Sequence, residues 1–576
     1  MTNVRPRDVQ VLPIGESTLV LRSRSWNRLR FEIEYALEKG TTANSYVIQG
    51  EDITVIDPPG GTFREIYLTA LQERIDLRQI KYVICQHVNP NRAETLHALL
   101  KLAPQICFVA SNLGVKNLRS ILESNYGDTL LATGLQTITV KGDDSLAIGG
   151  GHVLQFILTP TPRYPDSICT FDSKTEILFS DKFFGAHLCG DQVYDEGSEA
   201  LLADRRYYFD CLMSNQTKQV ESALDKFAEL QPQLIAPNHG VLVRYSRHEL
   251  YNLYRQWCEA QKQQPLSVAL LYASAYGNTA VLAQALARGI TKAGLAVEAI
   301  NCEQAEPSEI KAAVEKSAGF LIGSPTLAGH LPTQVQTALG IVLANAPKSA
   351  LAGVFGSYGW SGEAVDTLAE KLKEAGYVLA FDPIKIKFTP TESTLQFCEE
   401  TGTDFAQALK MAKKVRQTAV PSSNVEQAVG RIVGSLCVLT VHKGAVRTAM
   451  LASWVSQASF NPPGLTVAVG KERAIESYLY LGDRFVLNIL PQGKNIAKHF
   501  SKKFAPGVDR FAGVATETSE KGGIILSEAL AYLECQVAQR MEVGDHWLVY
   551  AIADGGKVLL QNELTAVHHR KSGAHY

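Results

Sequence analysis

No two cysteines in this sequence are spaced as a C-x-x-C pair; the ten present are scattered along 576 residues. That excludes a zinc ribbon and a disulfide framework, and it predicts free thiols in a reducing compartment. No run of about 18 apolar residues occurs, and the opening "MTNVRPRDVQVLPIGEST" has no apolar core, so no membrane span or secretory signal is expected and the chain reads as cytoplasmic. Long basic runs are missing too. With a formal net charge of -2, nucleic-acid binding has no electrostatic support. There is no internal repeat and no low-complexity tract, which removes solenoids and disordered arrays. Neither a G-x-G-x-x-G fingerprint nor a G-x-S-x-G elbow appears, so a separate Rossmann domain and a serine hydrolase are both unsupported. What is present is an ordinary globular composition, 46% hydrophobic and 20% charged, on a chain long enough for three or four domains.

Three segments follow from the patterning. Residues 1–262 carry short β-type runs, "NSYVIQG", "ITVIDPPGG", "KYVICQHV", "TEILFSD" and "QLIAPNHG", several ending in polar residues on loops. After "EAQKQQP" the pattern changes to strand, small-residue loop and helix in "LSVALLYASAYGNTAVLAQALARGI", which predicts a parallel α/β sheet over residues 263–412. A second break at "RQTAVPSSNVEQAVG" precedes a β-rich segment, residues 425–576, with "GSLCVLTV", "GLTVAVG", "RFVLNIL" and "HWLVYAIADG".

In the middle segment, "YASAYGNTA" sets Ser274, Tyr276, Gly277, Asn278 and Thr279 between a buried strand and a helix. Small hydroxyl groups and backbone N–H groups at a helix N-terminus suit a phosphate. Two later loops leave strand ends: Ser324-Pro325-Thr326-Leu327 and Ser357-Tyr358-Gly359-Trp360. In open α/β sheets such loops converge on one crevice, where Tyr358 or Trp360 can stack on a flat ring. Any one of them alone reads better as a plain strand-to-helix turn; three in order do not. The segment resembles flavodoxin, a doubly wound parallel sheet. The resemblance implies FMN, with its phosphate on the Ser274–Thr279 loop and its ring between the second and third loops.

The order of a β-rich segment followed by a flavodoxin, with "GTTANSYVI", "VIDPPG", "QHVNP", "RYPDS", "LFSDKFFG" and "APNHG", resembles the flavodiiron proteins. The resemblance implies a metallo-β-lactamase-like αββα sandwich for the first segment. In the family, seven side chains hold two irons. Here His87 and His239 match ligands, while Asn89, Asn91, Arg92, Arg163 and Lys182 stand at the other five positions. Asp181 adjoins Lys182, but strict strand alternation points it to the opposite face. Amides are weak ligands and a guanidinium offers no lone pair, so no intact di-iron site is expected. Relative to the family, three carboxylates are lost and three cations gained, a difference of +6 that matches two ferric ions. An anion such as chloride or phosphate is therefore expected at these seven positions. Pairing of the cations with carboxylates elsewhere, or one adventitious metal on the two histidines, is the competing reading.

The last segment, from "GRIVGSLCVLTV" to "DRFVLNIL", resembles the flavin reductase domain, a split β-barrel that binds FMN or FAD, and such a third domain marks the cyanobacterial type of flavodiiron protein. Thr448, Ala452, Ser453 and Trp454 match its flavin-contact stretch, and Ser459 with Pro462 and Pro463 its close. A plain strand with a buried Trp454 accounts for each residue singly as well. The tail offers His569, Arg570 and Lys571 to a nicotinamide nucleotide phosphate, or stands as a solvated charged tail.

Together the resemblances imply an NAD(P)H:oxygen oxidoreductase that passes electrons through flavins toward reduction of O2 to water. No catalytic residue is assigned. The family's head-to-tail dimer sets one chain's FMN against the other's metal site, so a homo- or hetro-oligomer with an iron-bearing paralogue is expected. The alternative is a regulatory or structural subunit with no terminal O2-reducing site of its own.

Overall fold

The structure is a computed structural model that describes residues 5–26, 39–127, 134–412, 423–444, 446–493, 496–502 and 504–570. It divides into two compact units, Met1–Gln263 and Gln264–Tyr576.

In the first unit, a seven-stranded sheet runs in chain order from Asp8–Gly15 through Thr18–Ser25, Thr41–Gln49, Ile53–Ile56, Ile80–Ile84 and Cys107–Ser111 to Gln136–Val140. A second, five-stranded sheet has the order Leu234–Pro237, Ile177–Asp181, Ile168–Asp172, His152–Leu158, Ser145–Gly149. Side-chain alternation builds the layers. Tyr46, Ile48, Ile56, Ile84 and Val109 of the first sheet meet Phe156, Ile168, Phe179 and Ala236 of the second. Their neighbours Val47, Val55, Val83 and Phe108 point outward onto Tyr67, Leu71, Leu96, Leu99, Leu118 and Leu122 of three helices, Arg64–Gln72, Pro90–Leu102 and Asn112–Tyr126. On the far side, Cys169, Leu178 and Ile235 pack on Phe209, Phe227, Tyr254 and Trp257 of the helices Ser198–Leu212, Thr217–Leu230 and Arg247–Lys262. Strands buried on both faces need near-continuous apolar runs, which is what "KYVIC" and "TEILF" supply. Each fully buried Leu, Val or Phe contributes about 1.5–3 kcal/mol. The result is the αββα sandwich.

The second unit begins with a parallel sheet in the order Ala296–Asn301, Ser267–Tyr272, Gly319–Pro325, Leu351–Tyr358, Val378–Leu379, with Ile384–Lys387 pairing the far half of Leu351–Tyr358. Helices Asn278–Lys292, Pro307–Lys316, Thr333–Asn345, Glu363–Glu374 and Glu392–Ala412 accompany it. Strand order reverses beside Ser267–Tyr272, the switch point at which doubly wound sheets open a crevice. The remaining residues form a seven-stranded antiparallel sheet whose two edges, Val446–Ala452 and Val455–Phe460, are consecutive in the chain. Leu439, Val467, Tyr478, Leu487, Val537 and Val549 fill its inside.

Candidate functional site

The apolar strand Ile80–Ile84 delivers the "QHVNPNR" loop into the sandwich, and the helix Pro90–Leu102 starts at once. Asn89 is that helix's N-cap: its side-chain oxygen accepts the Arg92 N–H at 2.8 Å, with Pro90 in the first turn. Asn91 accepts the Gly61 N–H at 3.1 Å through Oδ1. The two amides that replace carboxylates therefore serve the backbone. His87 Nδ1 lies 2.9 Å from Asp166 Oδ1, and its Nε2 lies 3.4 Å from the Asn89 amide nitrogen. His239 donates from Nδ1 to the Thr42 carbonyl at 2.6 Å. Asn89, Asn91, Arg92, Lys182 and His239 line one cleft together with Asp57. Arg163 and Lys182 flank the ring of Tyr164, at 5.0 and 5.2 Å from its centroid, and the His87 ring meets Tyr164 edge-on at 4.6 Å. The seven positions thus gather in one cluster.

Three carboxylates that the motif reading did not count sit in the same cluster. Arg92 Nη1 donates to Asp57 Oδ1 at 2.7 Å, and both side chains are buried. Burial pulls the Arg92 guanidinium down, but Asp57 and Asp181 outweigh it and hold it above its ordinary pKa. Burial pushes Asp57 up to about 6, with Arg92 pulling it down and Asp181 pushing it further up. Burial also opposes ionisation of Asp166, yet His87 and the Val88 N–H keep its carboxyl below the usual range. Asp181 does not obey strict alternation: its φ is 48°, and the register with Leu234–Pro237 slips between Phe179 and Asp181. Its buried carboxylate accepts from Asn238 and from the Ser167 hydroxyl. Arg92 thus faces Asp57, with Asp181 and Asp166 near enough to favour its charge, and His87 faces Asp166. Part of the positive charge at these positions is met within the chain, by the Arg92–Asp57 pair. All three carboxylates lie in quoted stretches, "VIDPPG", "RYPDS" and "LFSDKFFG", and strict strand alternation misdirects the reading of Asp181.

A di-iron pair does not fit these residues. Carboxylates and neutral imidazoles are the groups it needs. Arg92 and Asp57 form an ion pair in the cleft lining, and His87 Nε2 lies 3.4 Å from the Asn89 amide nitrogen. Among the described residues, no group of three or more His, Cys, Asp or Glu side chains is placed to hold a metal ion.

The second unit presents a different geometry. The three loops expected at the flavin leave neighbouring strands at the same sheet edge, since Tyr272 pairs with Gly323 and Pro325 with Ser357. Thr279 Oγ1 lies 2.8 Å from Ser357 Oγ, which ties the first loop to the third. Ser274 Oγ accepts the Ala280 N–H at 3.1 Å, curling the first loop over the start of the helix Asn278–Lys292. Gly277, with φ 81° and nothing within 4 Å of a would-be Cβ, makes the left-handed turn that a side chain would strain. Ser324 donates to the Pro325 carbonyl at 2.8 Å, and Thr326 donates its N–H to the Ser357 carbonyl at 3.0 Å. Thr326 Oγ1 is buried with no hydrogen-bond partner in the protein. Tyr276 and Trp360 are 86% and 93% exposed, with Leu327, half-buried Tyr358 and Gly359, and half-buried Asn278 around them. Large aromatics held in water beside an orphaned hydroxyl fit a phosphate-bearing flat ring, and FMN has both parts.

The reductase stretch is split. Thr448 is buried and its hydroxyl donates to Glu400 of the helix Glu392–Ala412, while Ala452 packs in the barrel core. These two fall on one side of the strand Val446–Ala452. Ser453 is buried beside Gly434, where a Cβ would lie 1.8 Å from the Ser453 carbonyl oxygen. Trp454 sits between His546, at 4.8 Å, and the Arg570 guanidinium, at 4.7 Å, so one tail cation does reach the stretch. Ser459 donates to the Pro462 carbonyl at 2.7 Å and lies 2.9 Å from the Tyr550 hydroxyl, with Pro463 opening the next strand. His569 is exposed, and Lys571 lies outside the described residues.

Comparison with known proteins finds three family models along the chain. Residues 41–240 match the ODP family beta lactamase model, 270–402 the flavodoxin model and 429–573 the flavin reductase like domain. Diflavin flavoprotein A 6 of Nostoc sp. (strain PCC 7120) is 63% identical, with all of both chains covered. Diflavin flavoprotein A 1 of Synechocystis sp. is 42% identical over 98% of each chain. Among solved structures, the metal-soaked Flv1 flavodiiron core from Synechocystis sp. PCC6803 is 55% identical and superposes with a TM-score of 0.67, covering 71% of this chain and all of that one. A flavodoxin domain implies FMN, and a flavin reductase domain implies a flavin of its own. No helix among the described residues is long and apolar enough to cross a membrane. The chain belongs to the flavodiiron family, among the diflavin flavoproteins A, and is a flavin-dependent oxidoreductase with β-lactamase-like, flavodoxin and flavin reductase domains.

Proposed function

We propose that this chain is a subunit of an NAD(P)H:oxygen oxidoreductase, with the terminal iron chemistry supplied by an iron-bearing flavodiiron partner. The observation that carries this reading is a contrast within one chain. The flavin crevice keeps exposed stacking aromatics and an unsatisfied Thr326 hydroxyl, while the cleft where the family holds irons is lined here by the Arg92–Asp57 ion pair.

Residues Ser274–Thr279, with Ser324–Leu327 and Ser357–Trp360, would hold FMN, which when bound supplies one- and two-electron transfer. The backbone N–H groups of the first helical turn favour a phosphate there. Tyr276 and Trp360 would cover the ring and exclude water from it. At the reductase part, Trp454, Ser453 and Ser459 form the candidate flavin rim, and Arg570 brings a positive charge to it. The domain division proposed is 1–262, 263–412 and 425–576, with O2, NAD(P)H and a paralogous chain as partners.

The test is anaerobic addition of NADH or NADPH to the purified, flavin-loaded chain, followed by its absorbance in the flavin band. Bleaching of both flavins supports the relay. An unbleached FMN overturns it and favours the regulatory or structural subunit.

A further inference from the structure

The flavodoxin-like and reductase-like parts of the second unit meet across a buried layer of charge. Lys292, at the end of the helix Asn278–Lys292, places Nζ 2.8 Å from Glu399 and 2.8 Å from Glu476 of the reductase part. Glu476 also pairs with Arg540, and Arg288 lies 3.5 Å from Glu399 while donating to the Tyr480 hydroxyl. A second group lies alongside. Arg510 of the reductase part reaches Asp404 at 2.8 Å and Glu400 at 3.2 Å on the helix Glu392–Ala412, and Glu400 also accepts from Tyr478 at 3.1 Å and from Thr448. Four cations thus face four carboxylates, and none of these eight side chains is more than 12% exposed.

Domains joined by a tether meet by default through small, polar surfaces and move against each other. A buried charge register behaves otherwise. Buried ion pairs add little net stability over apolar contacts, but removing a partner is heavily penalised, so they select one register and reject the rest. Lys292 and Arg510 each have partners on the opposite part, and sliding the surfaces by one helical turn, about 5.4 Å, would strand both. Burial is severe enough that salt screens the pairs little.

We infer that the reductase part is locked onto the flavodoxin helices in one orientation selected by this charge register. The two flavin-bearing parts then form a single body with a fixed separation. The junction takes up the hydroxyl of Thr448, one of the residues expected at the reductase flavin.

The experiment is to place a specific protease site within residues 413–422 of the full chain, cut it, and follow the fragments by size-exclusion chromatography. Cut wild-type chain is expected to elute as one species, at low salt and at about 0.5 M salt alike. The cut double variant Glu476→Gln, Asp404→Asn is expected to separate, with association weakened roughly tenfold or more. Wild-type fragments that elute apart overturn the proposal. So does a double variant that keeps its circular dichroism and stays associated as tightly as wild type. Should that variant fail to fold, elution of the cut wild-type chain decides the matter by itself.

Discussion

Arg92 and Asp57, 35 residues apart, form a buried ion pair at 2.7 Å that joins a helix start to a strand end inside the sandwich. The arginine stands at a ligand position of the family. Its partner is a carboxylate of the same chain, so the cleft is lined by an internal pair.

That pair gives the first prediction. Arg92→Met leaves Asp57 buried without its cation and should cost about 3–5 kcal/mol in urea unfolding. The double variant Arg92→Met, Asp57→Asn should recover most of the loss, because no charge is then stranded. A double variant no more stable than Arg92→Met would contradict the pairing.

At the flavin crevice, Trp360 is 93% exposed and supports little of the fold. Trp360→Ala should leave the melting temperature of the flavin-free chain unchanged. Losing a stacking partner worth about 0.5–1.5 kcal/mol should weaken FMN binding roughly two- to tenfold, read by quenching of flavin fluorescence. Unaltered affinity would remove Trp360 from the crevice.

Thr448 separates a junction role from a flavin role. Thr448→Val leaves the Glu400 carboxylate one donor short in a buried place and should destabilise the chain by about 1–3 kcal/mol. The reductase flavin should bind as before. Flavin loss without destabilisation would return Thr448 to the flavin.

Acid titration should reveal two opposed carboxyls at the junction. Burial holds Asp404 up at about 6 against an ordinary 3.8, so the folded chain takes up a proton there before the unfolded chain does. Its contribution therefore grows as pH falls from about 7 to 4, and Asp404→Asn should flatten that part of the stability profile. Glu476 goes the other way. Burial opposes its charge, but Lys292 and Arg540 hold it down at about 2, so its stabilisation is present above 4.5 and is lost as pH falls toward 2. Urea midpoints at a series of pH values, compared between wild type, Asp404→Asn and Glu476→Gln, check both signs.

The fold was legible wherever patterning is local. "LSVALLY" before "SAYGNT" reads as strand, loop and helix, and the structure has Ser267–Tyr272 followed by Asn278–Lys292. The replaced ligand positions could also be read, because a motif keeps its spacing. What could not be read is what those replacements touch. Asp57 meets Arg92 only once two strands lie side by side, and Asp181 turns because a register slip lets its backbone leave the strand conformation. Thr448 shows the same limit: its place in a flavin-contact stretch could not reveal that Glu400 of another segment takes its hydroxyl. A polar side chain's partner is a tertiary fact, and spacing does not encode it.

The most direct test of the account is iron per chain, measured by elemental analysis after anaerobic iron loading of the flavin-bound protein. With the Arg92–Asp57 ion pair lining the cleft, the content should stay near zero while flavin remains bound. About two irons per chain would mean that the pair opens to admit metal, and the division of labour with an iron-bearing partner would fall.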